Sequence, residues 1–249
     1  MGSFFRIFVN FNVALSKKFE KLFSFNSNGH LLLTRLFNSI EPNQSIADVG
    51  GGKKPAKNIV GNALISQCRY DGYDLSLEEL SLAKSLYTDI YQLDLTDMES
   101  EFSHRYDVVI CLNTLEHVND VTKAIYTLSK MLGTGSQLYI KLPCKYAMFA
   151  QLNLIIPNDI KKGIMHKVYP KKSGDGFKVH YDKAHPNRII KEFEARNFTL
   201  REKNLVKWSS YFSFFFPLYV VWRLITLFQN LLISDYCESF ELIFIKDAD

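Results

Sequence analysis

The residues best suited to chemistry fall at the ends of apolar runs. Asp48 closes the run Ile46-Ala47-Asp48-Val49 and is followed at once by Gly50, Gly51 and Gly52. Glycine has no Cβ, so successive backbone N–H groups in such a turn can come close to a bound ligand. Asp74 closes Tyr70-Asp71-Gly72-Tyr73-Asp74, about 24 residues after Gly50, the offset at which an acid meets ribose hydroxyls in nucleotide-binding βαβ units. A third run, Asp89 to Leu95, carries Asp94 and Leu95, and a fourth, Tyr106 to Leu112, ends in Asn113 and leads into Leu115-Glu116-His117-Val118. Four acid- or Asn-ended strands in order place a ligand along the carboxyl edge of an open α/β sheet.

Spacing separates the candidate ligands. A dinucleotide fingerprint needs a small residue three positions beyond its second glycine, and Pro55 stands there. Lys53, Lys54 and Pro55 also crowd the turn where a pyrophosphate needs an open helix N-terminus. A P-loop is excluded because Gly-Lys-Ser/Thr is absent. The motifs Asp48-Val49-Gly50-Gly51-Gly52-Lys53, Gly72-Tyr73-Asp74, Leu93-Asp94-Leu95 and Leu115-Glu116-His117-Val118 resemble those of the class I S-adenosylmethionine-dependent methyltransferases, small-molecule group. The resemblance runs over residues 43–145, with a weaker match over 178–206. It implies that Asp48, Gly50, Gly51 and Gly52 pack against the methionine and ribose parts of the cofactor S-adenosylmethionine. It further implies that Asp74 binds the ribose hydroxyls and that Asp94 with Leu95 lies by the adenine amine, with Asn113 on the same edge. Lys53 departs from the third spaced glycine that many members carry.

Methyl transfer from a sulfonium is an in-line displacement, so the protein must chiefly align the acceptor and exclude water. A base helps when the acceptor is a hydroxyl. His117, after the fourth strand, and His180, before the last sheet helix, are the candidate proton acceptors at neutral pH. Glu116 reads as a helix-start acid. No His or Cys spacing fits a metal, and no metal is expected.

The 249 residues suit a single α/β domain with insertions. Cys68, Cys111, Cys144 and Cys237 lie far apart and read as reduced thiols of a cytoplasmic protein. Phe4, Phe8, Phe11, Leu15, Phe19 and Leu22 recur at helical spacing with Arg6, Lys17, Lys18 and Lys21 between them, an amphipathic N-terminal helix. No secretory cleavage site follows, and Arg6 replaces the Ser or Thr of a myristoylation motif. A second helix over 30–39 completes an N-terminal unit, residues 1–40, ahead of the main domain, 41–249. Helices are expected at 56–67, 77–87 (with a Ser76/Glu79 capping box), 118–132 (ended by Gly133 to Gly135) and 186–197, and a fifth strand at 137–142. The fold expected is a Rossmann-like, seven-stranded, mostly parallel sheet with an antiparallel last strand and helices on both faces. Its edge hairpin is 198–206 with 240–246.

Two insertions stand out. Residues 143–185, after the fifth strand, read as a lid over the acceptor, with Pro157, Pro170, Gly174 and Gly176 as hinges and His166, His180 and Tyr181 near its mouth. Residues 208–233 are almost wholly apolar and long enough to span a bilayer. Pro217 and Arg223 inside the run, and its place between two strands of one hairpin, point instead to an in-plane or hairpin contact. Trp208, Tyr211, Tyr219 and Trp222 would sit at the interface. Residues 158–207 carry 13 basic against 6 acidic side chains, and residues 41–120 carry 6 against 14, an asymmetry an anionic surface could read. Nucleic acid is disfavoured, since no binding module is recognisable. The sequence thus leads to a membrane-associated methyltransferase acting, most readily by O-methylation, on a small or lipid-linked acceptor such as a glycan, quinone or related lipid. The alternatives are a noncatalytic membrane- or partner-binding module and a soluble enzyme whose apolar segment closes a homodimer.

Overall fold

The computed structural model describes residues 3–22, 28–60, 63–102, 105–156 and 178–248. Seven strands form one sheet: β1 Ser45–Val49, β2 Arg69–Asp74, β3 Ile90–Gln92, β4 Tyr106–Leu112, β5 Leu132–Pro143, β6 Phe198–Val206 and β7 Ser239–Lys246. Their order is β3-β2-β1-β4-β5-β7-β6. The first five run parallel, while β7 is antiparallel to both neighbours, Leu138 facing Phe244 and Leu205 facing Phe240. The chain reverses its direction of travel across the sheet between β1 and β4, which opens a crevice at their carboxyl ends.

Helices cover both faces. On one, α2 (Leu31–Asn38) buries Leu32, Leu33, Leu36 and Phe37, joined by α3 (Lys57–Val60) and α4 (Leu77–Ser81). On the other, α5 (Val121–Lys130) packs with α6 (Met148–Ile155) and α7 (Pro186–Glu194). Two buried clusters result, one on each side of the strands. Glu241 of β7 anchors α2. Its carboxylate accepts from the N–H groups of Leu32 and Leu33 at 3.3 and 3.4 Å and from the Tyr139 hydroxyl at 2.7 Å, which meets both the orphan donors and the positive dipole of the helix start.

Several elements differ from expectation. Of the helix expected at 56–67, the described residues show α3 and a 3-10 turn at Ala63–Gln67, with residues 61–62 outside the described residues. The 77–87 helix is α4 plus a 3-10 turn at Lys84–Leu86. Its capping box is half made: the Ser76 hydroxyl accepts from Glu79 N at 3.2 Å, but the Glu79 carboxylate pairs with Lys53 at 3.0 Å. Gly133 to Gly135 belongs to the irregular start of β5, where Gly135 has φ +82°, and does not end α5. Asn197 takes φ +57° just after α7, and Pro186 opens that helix.

The apolar segment 208–233 divides in two. Residues 208–215 form an irregular stretch, and α8 (Phe216–Leu232) follows, with Pro217 in its first turn. This helix lies against α1 (Ser3–Glu20): Asn12 Oδ1 accepts from Phe216 N at 2.8 Å, the Tyr219 hydroxyl donates to Glu20 at 2.7 Å, and Phe19 packs edge-on to Phe216 and Tyr219. Arg223 is fully buried, paired with Glu238 at 3.0 Å and lying over the Trp208 and Tyr219 rings. Trp208, Tyr219 and Trp222 are therefore interior and not at an interface, since they pack around that guanidinium; Tyr211 remains 47% exposed. Among the described residues, no helix is long and apolar enough to cross a membrane. Of the segment 143–185, the hinge candidates Pro157, Pro170, Gly174 and Gly176 and His166 lie outside the described residues.

Candidate active site

The crevice at the strand ends begins at the glycine turn. Asp48 lies beneath it, buried, with Oδ2 accepting from the Tyr70 hydroxyl at 2.6 Å and from Ala56 N at 2.7 Å. Burial raises its carboxyl to about 6 against those two hydrogen bonds. The turn is thereby tied at its far end, and Gly50 N fixes its near end by donating to the Tyr73 carbonyl at 2.6 Å. Gly50 has φ +77°, and a Cβ there would stand 2.1 Å from Thr114 Oγ1. Gly52, at φ +46°, also needs a residue free of β-carbon strain. Its carbonyl accepts from the Tyr87 hydroxyl at 3.1 Å.

A cavity of about 400 Å³ opens over this turn. Its walls are Val49 and Gly50 after β1, Asp74 and Leu75 after β2, Leu93 to Thr96 after β3, and Asn113, Thr114, His117, Val118 and Asn119 after β4, closed by Lys178 and His180. Asp74 accepts from Ser76 N at 2.9 Å, and burial raises its carboxyl while backbone N–H groups oppose the shift. Asp94 is turned into its own loop, taking the Thr96 N–H and hydroxyl at 2.8 and 2.7 Å. His117 Nδ1 meets the Lys178 carbonyl at 2.9 Å. His180 N donates to the Glu116 carbonyl at 2.7 Å. Gly50, Asp74, Asp94, Leu95, Asn113, His117 and His180 thus share one cavity, whereas Asp48, Gly51 and Gly52 lie outside its walls. A carboxylate for a vicinal diol, Leu75 and Leu95 for a flat base, and a glycine backbone with no room for a Cβ fit S-adenosylmethionine chemically.

A second cavity, of about 680 Å³, meets the first at Asn113. The 3-10 turn after β4 supplies Glu116, the end of β5 supplies Lys141 and Pro143, and the start of β7 supplies Ser239, with Glu238 just before it. The helix α6 supplies Phe149, Leu152 and Asn153, Ile156 follows at its end, and Tyr181, Ser209, Tyr211 and Phe212 complete the wall. The Glu116 side chain is only 7% exposed, its Oε2 has no hydrogen-bond partner, and burial raises its carboxyl to about 8 although Lys141 opposes the shift. Glu116, which the sequence reads as a helix-start acid, thus stands as a buried acid in the wall of this cavity. The available signal was an acid between Leu115 and His117 in the short segment that follows the fourth strand. The cavity role of Ser209, Tyr211 and Phe212 had no such signal, because the apolar run around them looks uniform.

The fold is shared with proteins of low sequence identity. The structure of the N-methyltransferase NodS from Bradyrhizobium japonicum, in complex with S-adenosyl-L-homocysteine, is 13% identical, with a TM-score of 0.51 over 88% of this chain and 86% of that one. The [4+2]-cyclase SpnF is 13% identical, with a TM-score of 0.53 over 88% and 82%. A putative methyltransferase bound to the Trm112 activator of Haloferax volcanii is 12% identical, with a TM-score of 0.52 over 95% of both chains. No curated protein matches in sequence. The sequence model of the methyltransferase domain matches residues 21–203, and with the fold and the cavity chemistry this makes the chain a member of the methyltransferase domain family, with S-adenosylmethionine as its cofactor.

Proposed function

We propose that this methyltransferase places a methyl group on a hydroxyl of an amphipathic or lipid-linked acceptor, such as a glycan lipid, quinone or related lipid, at a membrane surface. The observation that carries the reading is the second cavity. It joins the first at Asn113 and is walled by α6 and the 209–212 stretch, next to residues that leave Leu154, Ile155 and Phe215 exposed. An acceptor with a polar head and an apolar body suits that gradient of lining. Bound in the first cavity, S-adenosylmethionine supplies an electrophilic methyl group. Gly50, Asp74, Asp94, Leu95 and Asn113 hold it, over a turn shaped by Asp48, Gly51 and Gly52. His117 and His180 close the wall and exclude water, the His117 ring being oriented by the Lys178 carbonyl.

Calorimetric titration with S-adenosylhomocysteine tests the cofactor assignment. The wild-type chain should bind in the micromolar range, and Asp74→Ala should weaken binding by about tenfold or more, the usual worth of a hydrogen bond to a charged group. Equal affinity in Asp74→Ala would move the ribose contact elsewhere. No binding by the folded wild type would leave a noncatalytic binding module as the better account.

A further inference from the structure

Among the described residues, two carboxylates, Glu116 and Glu238, line the second cavity, and each keeps one buried oxygen, Oε2, without a hydrogen-bond partner. What separates them is charge: Glu238 Oε1 takes the Arg223 guanidinium and the Trp222 indole N–H, so that carboxylate is committed as the counter-ion of a buried cation, whereas Glu116 has no Lys or Arg within ion-pair distance among the described residues. The Glu116 backbone is fixed from two sides: the carbonyl accepts from His180 N at 2.7 Å and from Tyr181 N at 3.1 Å. His117, although adjacent in sequence, lines the first cavity and not the second.

We infer that the second cavity is the acceptor site and that Glu116 Oε2 takes the proton of an acceptor hydroxyl carried on an apolar body, a phenol or alcohol with an aliphatic chain. This rests on the methyltransferase reading. The acceptor O–H bond breaks and its proton goes to Glu116. The oxygen lone pair forms the new O–C bond to the methyl, and the electrons of the C–S bond leave with S-adenosylhomocysteine. Phe149, Leu152, Tyr211 and Phe212 hold the apolar body. The titratable groups facing Glu116 are Lys141 of β5, Cys111 of β4, the neighbouring His117, Tyr181, Tyr211 and, across the cavity, Glu238. Burial outweighs the Lys141 charge and sets the Glu116 carboxyl at about 8, so the ionised, proton-accepting form gains population as pH rises through that value.

The test uses the full chain with para-nonylphenol as probe. Wild type loaded with S-adenosylhomocysteine should bind the phenol, and Leu152→Asp should lose the phenol while binding S-adenosylhomocysteine normally. With S-adenosylmethionine labelled in its methyl group, Glu116→Gln should bind both molecules and transfer about 10²–10⁴-fold more slowly. Its rate should no longer rise near pH 8 but only toward the phenol's own ionisation, about pH 10. His117→Ala should keep the lower rise. A wild-type rate or an unmoved pH profile in Glu116→Gln overturns the assignment, as does a phenol that binds wild type without being methylated. A wild type that binds S-adenosylhomocysteine but not the phenol rejects the apolar hydroxyl class. Failure to bind S-adenosylhomocysteine would be failure of the underlying methyltransferase site.

Discussion

Glu116 illustrates how a side chain's surroundings decide its chemistry. Its ordinary carboxyl value is 4.5, and burial carries it to about 8 in the folded protein. Between those two values the folded chain keeps a proton that the unfolded chain releases. Stability therefore falls as pH rises through that window and levels off above it. Glu116→Gln removes this slope. Denaturant melts should find the variant more stable than wild type by roughly 5 kcal/mol near pH 9, and close to it near pH 5. An equal slope in both proteins would place the ionisation elsewhere. The glycine turn shows the opposite kind of residue. Gly50 and Gly52 could be picked out from the sequence because positive φ leaves few alternatives, whereas the place of Asp48 beneath the turn depends on Tyr70 and Ala56 reaching it.

At the scale of elements, helical spacing of apolar residues located α1, and breakers, capping residues and the alternation of strands with helices located α2, α5 and α7, each of which buries an apolar stripe. Such signals could not say what α8 packs against. That helix is fixed by contacts distant in sequence: Asn12 supplies an acceptor for its first turn, and Glu238 holds Arg223. Removing one partner of a buried pair strands the other charge, so Arg223→Met should destabilise by about 3–5 kcal/mol in chemical unfolding. The double variant Arg223→Met/Glu238→Gln should recover much of that loss. If the single variant unfolds like wild type, the pair does not anchor α8.

The molecule as a whole leaves an apolar surface outside its two cores. Phe4, Ile7, Phe8 and Phe11 of α1 are exposed, as are Val221, Leu224, Phe228, Leu231 and Leu232 of α8. Arg6, Lys17 and Lys18 are exposed on α1, and Lys21 just after it. An in-plane contact with anionic lipid suits apolar and basic residues together. Wild-type protein should float with vesicles of phosphatidylcholine and phosphatidylglycerol, and Leu224→Glu/Phe228→Glu should stay at the bottom of the gradient. A wild type that sediments as a dimer and never floats would assign this surface to a second copy of the chain.

The sequence by itself determined the strand order's chemical edge: a glycine turn, Asp74 and Asp94 at strand ends, Asn113 after β4, and the seven-stranded Rossmann-like sheet that aligns them. These signals are local, set by backbone conformation and by spacing along one strand or helix, and so they survive in one dimension. Tertiary structure alone decided that Glu116 is buried with an unpartnered oxygen, that Trp208, Tyr219 and Trp222 turn inward, and that the apolar run divides between a cavity wall and a helix. Each of those depends on desolvation and on partners far away in the chain, Lys141 for Glu116 and Glu238 for Arg223, and only folding brings such groups together.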